Sequence, residues 1–180
     1  MPGNEVGRCR IGNFIMEMLA VFPATSPAHD LLLRLFAKIG GGAFQGCCGL
    51  KSINIPSSIT EIDSYTFCDC SGLKSINIPS SITKIGESAF KGCSRLTSIN
   101  LPSSITKIGE SAFWDCSLLK SINLPASITE IGKYAFCGCR RLTSINLPAS
   151  VTKIDEDTFS GCIYNHRTTK TNQKYPSVNL

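Results

Sequence analysis

A 23-residue unit recurs without insertion from Ile39 to Cys162, and it constrains the fold more than any other feature. Its apolar register runs Ile39, Ala43, Phe44, Cys47, Leu50, Ile53, Ile55 and Ile59, then restarts at Ile62. Phenylalanine returns at positions 44, 67, 90, 113, 136 and 159, and cysteine at 47, 70, 93, 116, 139 and 162. A unit this short cannot bury its own apolar face, so each must be one coil stacked on the coil before it. Residues 39–162 therefore form a solenoid of five full repeats and a partial sixth, flanked by an N-terminal segment 1–38 and a polar, basic tail 163–180.

Within a repeat, Ser75-Ile76-Asn77-Ile78 alternates polar and apolar residues, the period of a half-buried strand, and Pro79 ends it because proline has no N–H to give. Stacked coils should align these strands into a parallel sheet. Ile82 and Ile85 imply a second short extended piece on a neighbouring face. Gly86 follows, with Gly40, Gly109, Gly132, Asp63 and Asp155 at equivalent places; both residue types tolerate left-handed angles, so a tight corner is expected there. Glu87 to Cys93 should form a helical or turn-like segment with Phe90 and Cys93 inward. Phenylalanine over phenylalanine at strand spacing can stack in offset geometry, adding about 0.5–1.5 kcal/mol per pair.

The net charge of +5 looks mildly basic until it is divided along the chain. Residues 39–162 carry eleven basic and ten acidic groups, so the solenoid is nearly neutral, and no clustered basic stripe for nucleic acid is expected. The tail carries Arg167, Lys170 and Lys174 and no acid. Ten cysteines could signal a disulfide framework, but six share one repeat position and should form an interior column of parallel thiols. Of the others, Cys9, Cys48, Cys68 and Cys137, the last two are candidates for exposed reactive thiols. The Cys-x-Cys spacings and lack of nearby histidines argue against zinc.

Arg8 and Arg10 precede a moderately apolar run, Ile11 to Ala24, which superficially resembles a secretory signal; Asn13 and Glu17 interrupt it, so a working signal is not expected. No stretch is apolar and long enough to span a membrane. Asp30 followed by Leu31 to Lys38 reads as an N-capped helical turn or two, expected to cover the first coil. Past Cys162, Asn165 and Thr168 stand where the register needs Leu and Ile, and the tail reads as disordered. Either the tail folds loosely over the last coil or the chain is a shortened version of a longer array; an uncovered end would permit end-to-end self-association.

The unit I-G-x-x-A-F-x-x-C-x-x-L-x-S-I-N-[IL]-P-x-S-[IV]-T-x resembles the BspA-type leucine-rich repeat. The resemblance implies an α/β or mainly β solenoid: a right-handed leucine-rich-repeat coil with parallel strands and short turn or helical segments on the other face. It also implies a surface or secreted protein acting in adhesion to host proteins or cells, with recognition on the sheet face. Without that resemblance, a cytoplasmic scaffold or adaptor is the alternative.

Two outward columns line that face. One is Ser52, Ser75, Ser98, Ser121 and Ser144; the other is Asn54, Asn77, Asn100, Asn123 and Asn146. They suit a peptide backbone, a glycan or another repeat array, and equally a sheet that is merely soluble and braced by side-chain hydrogen bonds. Lys51, Lys74 and Lys120 alternate beside them with Thr97 and Thr143. Trp114, the only tryptophan, is either an interface anchor near Tyr134 and Tyr65 or lies flat over the coil edge. Arg95, Arg140 and Arg141 make a small basic spot, and Asp155-Glu156-Asp157 an acidic corner, both read as solvated. His29 and His166 lie at opposite ends, and no nucleophile–base pair, metal motif or phosphate loop is present; catalysis and cofactors are not expected. No N-x-[ST] sequon occurs, because every sheet asparagine precedes Ile or Leu and then Pro.

Overall fold

The computed structural model describes residues 40–152 and 154–163. The expected capping helix at 30–38, Ile39, Cys9, both histidines and the tail from 164 lie outside these residues. Short strands alternate along the chain: β1 (Ser52–Asn54), β2 (Glu61–Ile62), β3 (Ser75–Asn77), β4 (Lys84–Ile85), β5 (Ser98–Asn100), β6 (Lys107–Ile108), β7 (Ser121–Asn123), β8 (Glu130–Ile131) and β9 (Ser144–Asn146). The odd-numbered strands form one parallel sheet and the even-numbered ones a second, each in coil order. Register is like on like: Ser52 faces Ser75, Ile53 faces Ile76 and Asn54 faces Asn77, and the pairing repeats at β5–β7 and β7–β9. Each proline closes the first strand and opens a turn, with the Pro79 carbonyl accepting from Ile82 N–H at 3.1 Å.

The third face is not helical. Alternate N–H groups there donate to the following coil: Tyr65 to Glu87, Phe67 to Ala89 and Asp69 to Lys91, at 2.6–2.8 Å. The N–H groups between them close three-residue turns within their own coil, as Cys68 does on Tyr65. Backbone groups that a helix would satisfy internally are spent on stacking instead, so successive coils are tied by a third ladder. The single helical piece among the described residues is a 3-10 turn, Glu156–Phe159, in the sixth coil.

Left-handed backbone occurs on this third face, but not where the sequence suggested. Gly86 does not adopt a positive φ; Tyr65, Ser88, Ser111 and Tyr134 do, as do Asp69, Gly92, Asp115 and Gly138. In the Gly86 column, Gly86, Gly109 and Gly132 are small for want of space, whereas a Cβ on Gly40 would meet nothing within 4 Å and aspartate stands at 63 and 155. A Cβ on Gly109 would lie 2.6 Å from the backbone of Gly86, and one on Gly132 2.4 Å from Glu110 N. The column of Asp69, Gly92, Asp115 and Gly138 alternates for a related reason. Asp69 Oδ1 lies 2.3 Å from where a Gly92 Cβ would be, and Asp115 Oδ1 2.2 Å from that of Gly138. The carboxylate of one coil fills the gap that glycine leaves in the next.

Phe, Leu, Ile, Ala and Cys columns make one continuous core. Phe44, Phe67, Phe90, Phe113, Phe136 and Phe159 stack with centroids 5.3–5.5 Å apart and planes within 12°. The repeat-position cysteines are buried as expected, and each thiol does more than fill space. Cys70, Cys93, Cys116, Cys139 and Cys162 donate S–H to the phenylalanine carbonyl of the preceding coil at 3.0–3.2 Å. Cys47 departs from the free-thiol expectation: it is disulfide-bonded, whereas the eight other described cysteines are free.

Candidate functional site

The first sheet presents its columns as the sequence implied. In every odd-numbered strand the serine and asparagine are exposed and the isoleucine between them is buried. Parallel pairing repeats each amide about every 4.8 Å along the stack. Among the described residues, none of these ten side chains makes a hydrogen bond to protein, so they do not brace one another.

Bracing is done by other columns. Ser81, Ser104, Ser127 and Ser150 each donate Oγ–H to the isoleucine carbonyl of the preceding coil at 2.6 Å. Thr83, Thr106 and Thr129 do the same to the preceding threonine at 3.2–3.3 Å. The sequence reading missed this division of labour, although both columns are as regular as the sheet serines. On the second sheet, Lys84 pairs with Glu61 at 3.8 Å and Lys107 with Glu130 at 2.7 Å.

Trp114 is half-buried. Its ring meets Tyr134 at 5.6 Å, tilted by 33°, with Lys91 Nζ 4.7 Å above the indole centroid. Lys133 Nζ lies 4.6 Å over Tyr134 and 3.5 Å from Asp157. The tryptophan thus lies against its neighbours, with its face covered by a lysine of its own chain. Tyr65 is not part of this group; its hydroxyl donates to Glu87. Cys68 is buried, and burial pushes its thiol up to about 11, so it is not the exposed reactive thiol considered from sequence. Cys137 is half-buried, and burial, followed by Asp115, raises it too. Cys48 is the exposed thiol among the described residues.

The described residues contain no histidine. No described helix is long and apolar enough to cross a membrane, and no group of three or more described Cys, Asp or Glu is arranged to hold a metal ion.

Parallel two-sheet coils with a closed apolar core and a polar outer sheet define a repeat solenoid of the leucine-rich class. Residues 37–165 match the BspA type leucine rich repeat region in six copies, and the chain belongs to that family. Among solved structures it is similar to a leucine-rich repeat protein from Bacteroides ovatus, at 43% identity and TM-score 0.65 over 68% of this chain and 32% of that one. A leucine rich cell surface protein from Faecalibacterium prausnitzii matches at 37% identity and TM-score 0.61, over 67% and 33%. The leucine rich repeat protein of T. pallidum matches at 34% identity and TM-score 0.59, over 61% and 53%. The chain thus spans about a third to a half of the length of these relatives. No match is found among curated proteins.

Proposed function

We propose that this chain is a non-enzymatic recognition module of a cell-surface protein, binding a macromolecular partner through its first sheet. One observation carries this reading: ten exposed Ser and Asn side chains stand in columns on one sheet with none of their hydrogen-bonding capacity committed to the fold. Binding would exchange their water for partner groups at modest net gain per contact, so affinity comes from repetition. The similarity to a leucine rich cell surface protein supports the location. Lack of a catalytic constellation in the sequence supports a non-enzymatic role.

Full-length protein should bind extracellular-matrix proteins or glycans displayed on a surface. Changing Asn77, Asn100 and Asn123 together to Ala should abolish that binding while leaving thermal unfolding within a few degrees. Unchanged binding would remove the sheet face from consideration. An intracellular scaffold is the second reading, favoured by eight of the nine described cysteines being free. Localising the tagged full-length chain separates the two, because an exclusively cytosolic pool leaves only the scaffold.

A further inference from the structure

The near-neutral total of the solenoid hides a division by face. The stretch of each coil from the corner before the first sheet to the residue after its proline is residues 48–57, 71–80, 94–103, 117–126 and 140–149. These five stretches carry six basic residues and no acid. The remainder of residues 39–162 carries five basic and ten acidic residues. A basic stripe does run along this fold, and counting charge along the chain instead of around the coil concealed it.

The six are Lys51, Lys74, Arg95, Lys120, Arg140 and Arg141, and all are exposed. The ion pairs of the described solenoid use Lys84, Lys107 and Lys133 and none of the six. Every complete coil contributes at least one cation, although its position moves. Coils with threonine at the lysine position, Thr97 and Thr143, carry arginine two residues earlier, at Arg95 and Arg141. The row extends over about 19 Å at one coil per strand spacing, beside the uncommitted Asn and Ser columns.

From this juxtaposition we propose that the first sheet and its leading corner bind an anionic polysaccharide, laid along the stack so that its sulfate or carboxylate groups meet the cations and its hydroxyls meet the Asn amides. This rests on the sheet-face reading above and specifies its partner. An acidic peptide fits less well. An extended strand turns like-facing side chains outward about every 6.8 Å, out of step with coils about 4.8 Å apart, and the face lacks the apolar and aromatic anchors that dominate peptide interfaces. Single-stranded nucleic acid draws on base stacking over aromatic side chains, and no aromatic residue lies in these five stretches. A hydroxyl-rich polyanion needs only charges and amides, which are what the surface offers.

Heparin is the probe. Full-length protein should bind immobilised heparin, weaken as salt rises from about 0.05 to about 0.3 M, and bind fully desulfated heparin, which keeps only its carboxylates, more weakly. Changing Lys74, Arg95, Lys120 and Arg141 together to Ser should weaken binding at least about tenfold. Changing Arg167, Lys170 and Lys174 in the tail to Ser should weaken it less than about twofold. The four substituted side chains are exposed, and matching thermal unfolding would confirm an intact fold. Absence of heparin binding, a loss as large in the tail variant, or equally tight binding of polyglutamate or duplex DNA would overturn the proposal. The Asn77/Asn100/Asn123 to Ala variant, run in parallel, keeps the two readings apart. If it abolishes binding to matrix protein while heparin does not bind, the sheet face stands and the polysaccharide falls. If heparin binding survives it but is lost in the four-charge variant, the corner binds polyanions and the sheet columns do not.

Discussion

At the scale of the residue, a thiol and a carbonyl satisfy one another in every junction. The Phe67 carbonyl accepts from Cys70 N–H at 3.1 Å and from Cys93 S–H at 3.2 Å, so both lone pairs are used in a dry core. Cys93→Ala should cost about 1–2 kcal/mol from lost contacts and the lost donor, and Cys93→Ser less, because its hydroxyl can reach the same oxygen. Equal midpoints for the two variants in urea would show that the donor contributes nothing. Burial also pushes Cys70 up to about 12 and Cys68 to about 11, from an ordinary 9.0. These raised values belong to the folded state, so the stabilisation is complete below the ordinary value and is lost as pH climbs through the raised ones. The urea midpoint should be level from about pH 6 to 8 and fall between about 9 and 12; a level line to pH 12 contradicts it. The Phe and Cys columns were legible because periodicity reports burial. The reason for Gly86 was not: a small residue signals either backbone freedom or lack of room, and only the neighbouring coil tells which. Nor could positive φ at Tyr65 or Ser88 be read, since neither residue type advertises it.

At the scale of the element, two serine columns look alike in sequence and serve opposite purposes. Ser75 and its equivalents face solvent on the first sheet, whereas Ser104 bonds across to the preceding coil at 2.6 Å. Ser104→Ala should lower stability by about 0.5–1.5 kcal/mol, while Ser98→Ala should change it by less than about 0.5 kcal/mol. Chemical denaturation of the pair checks this, and equal losses would mean that both columns brace the stack. The two sheets were legible from period-two alternation at Ser75–Ile78 and from Ile82 with Ile85. The third face was not, because its apolar spacing at Ala89, Phe90 and Cys93 suits a helix as well as a turn ladder. What decides between them is the competition for backbone N–H groups. Phe67 and Asp69 give theirs to the next coil, which a helix would forbid.

At the scale of the whole molecule, the alternating Asp and Gly of the third face make the working unit two coils instead of one. Deleting residues 86–108 preserves every apolar column but places Asp69 directly beneath Asp115, where the structure has Gly92. The shortened protein should be less stable than loss of one coil interface explains, and Asp115→Gly within the deletion should restore about 1–2 kcal/mol by removing a clash and a like-charge pair. Absence of rescue, measured by thermal and urea unfolding, would show that the column adapts freely. This rule was printed in the sequence at every 23rd position from Gly46 to Gly138, ending where Gly161 follows Gly138, yet its meaning requires knowing that one coil's carboxylate occupies the next coil's vacancy. The division of charge around the coil has an electrical consequence of its own. With cations gathered on one flank and the acid excess on the others, the solenoid carries a moment transverse to its long axis. Near a negatively charged surface such a body feels a torque as well as a pull, within a screening length of about 8 Å at physiological salt. That torque turns the first sheet toward the surface.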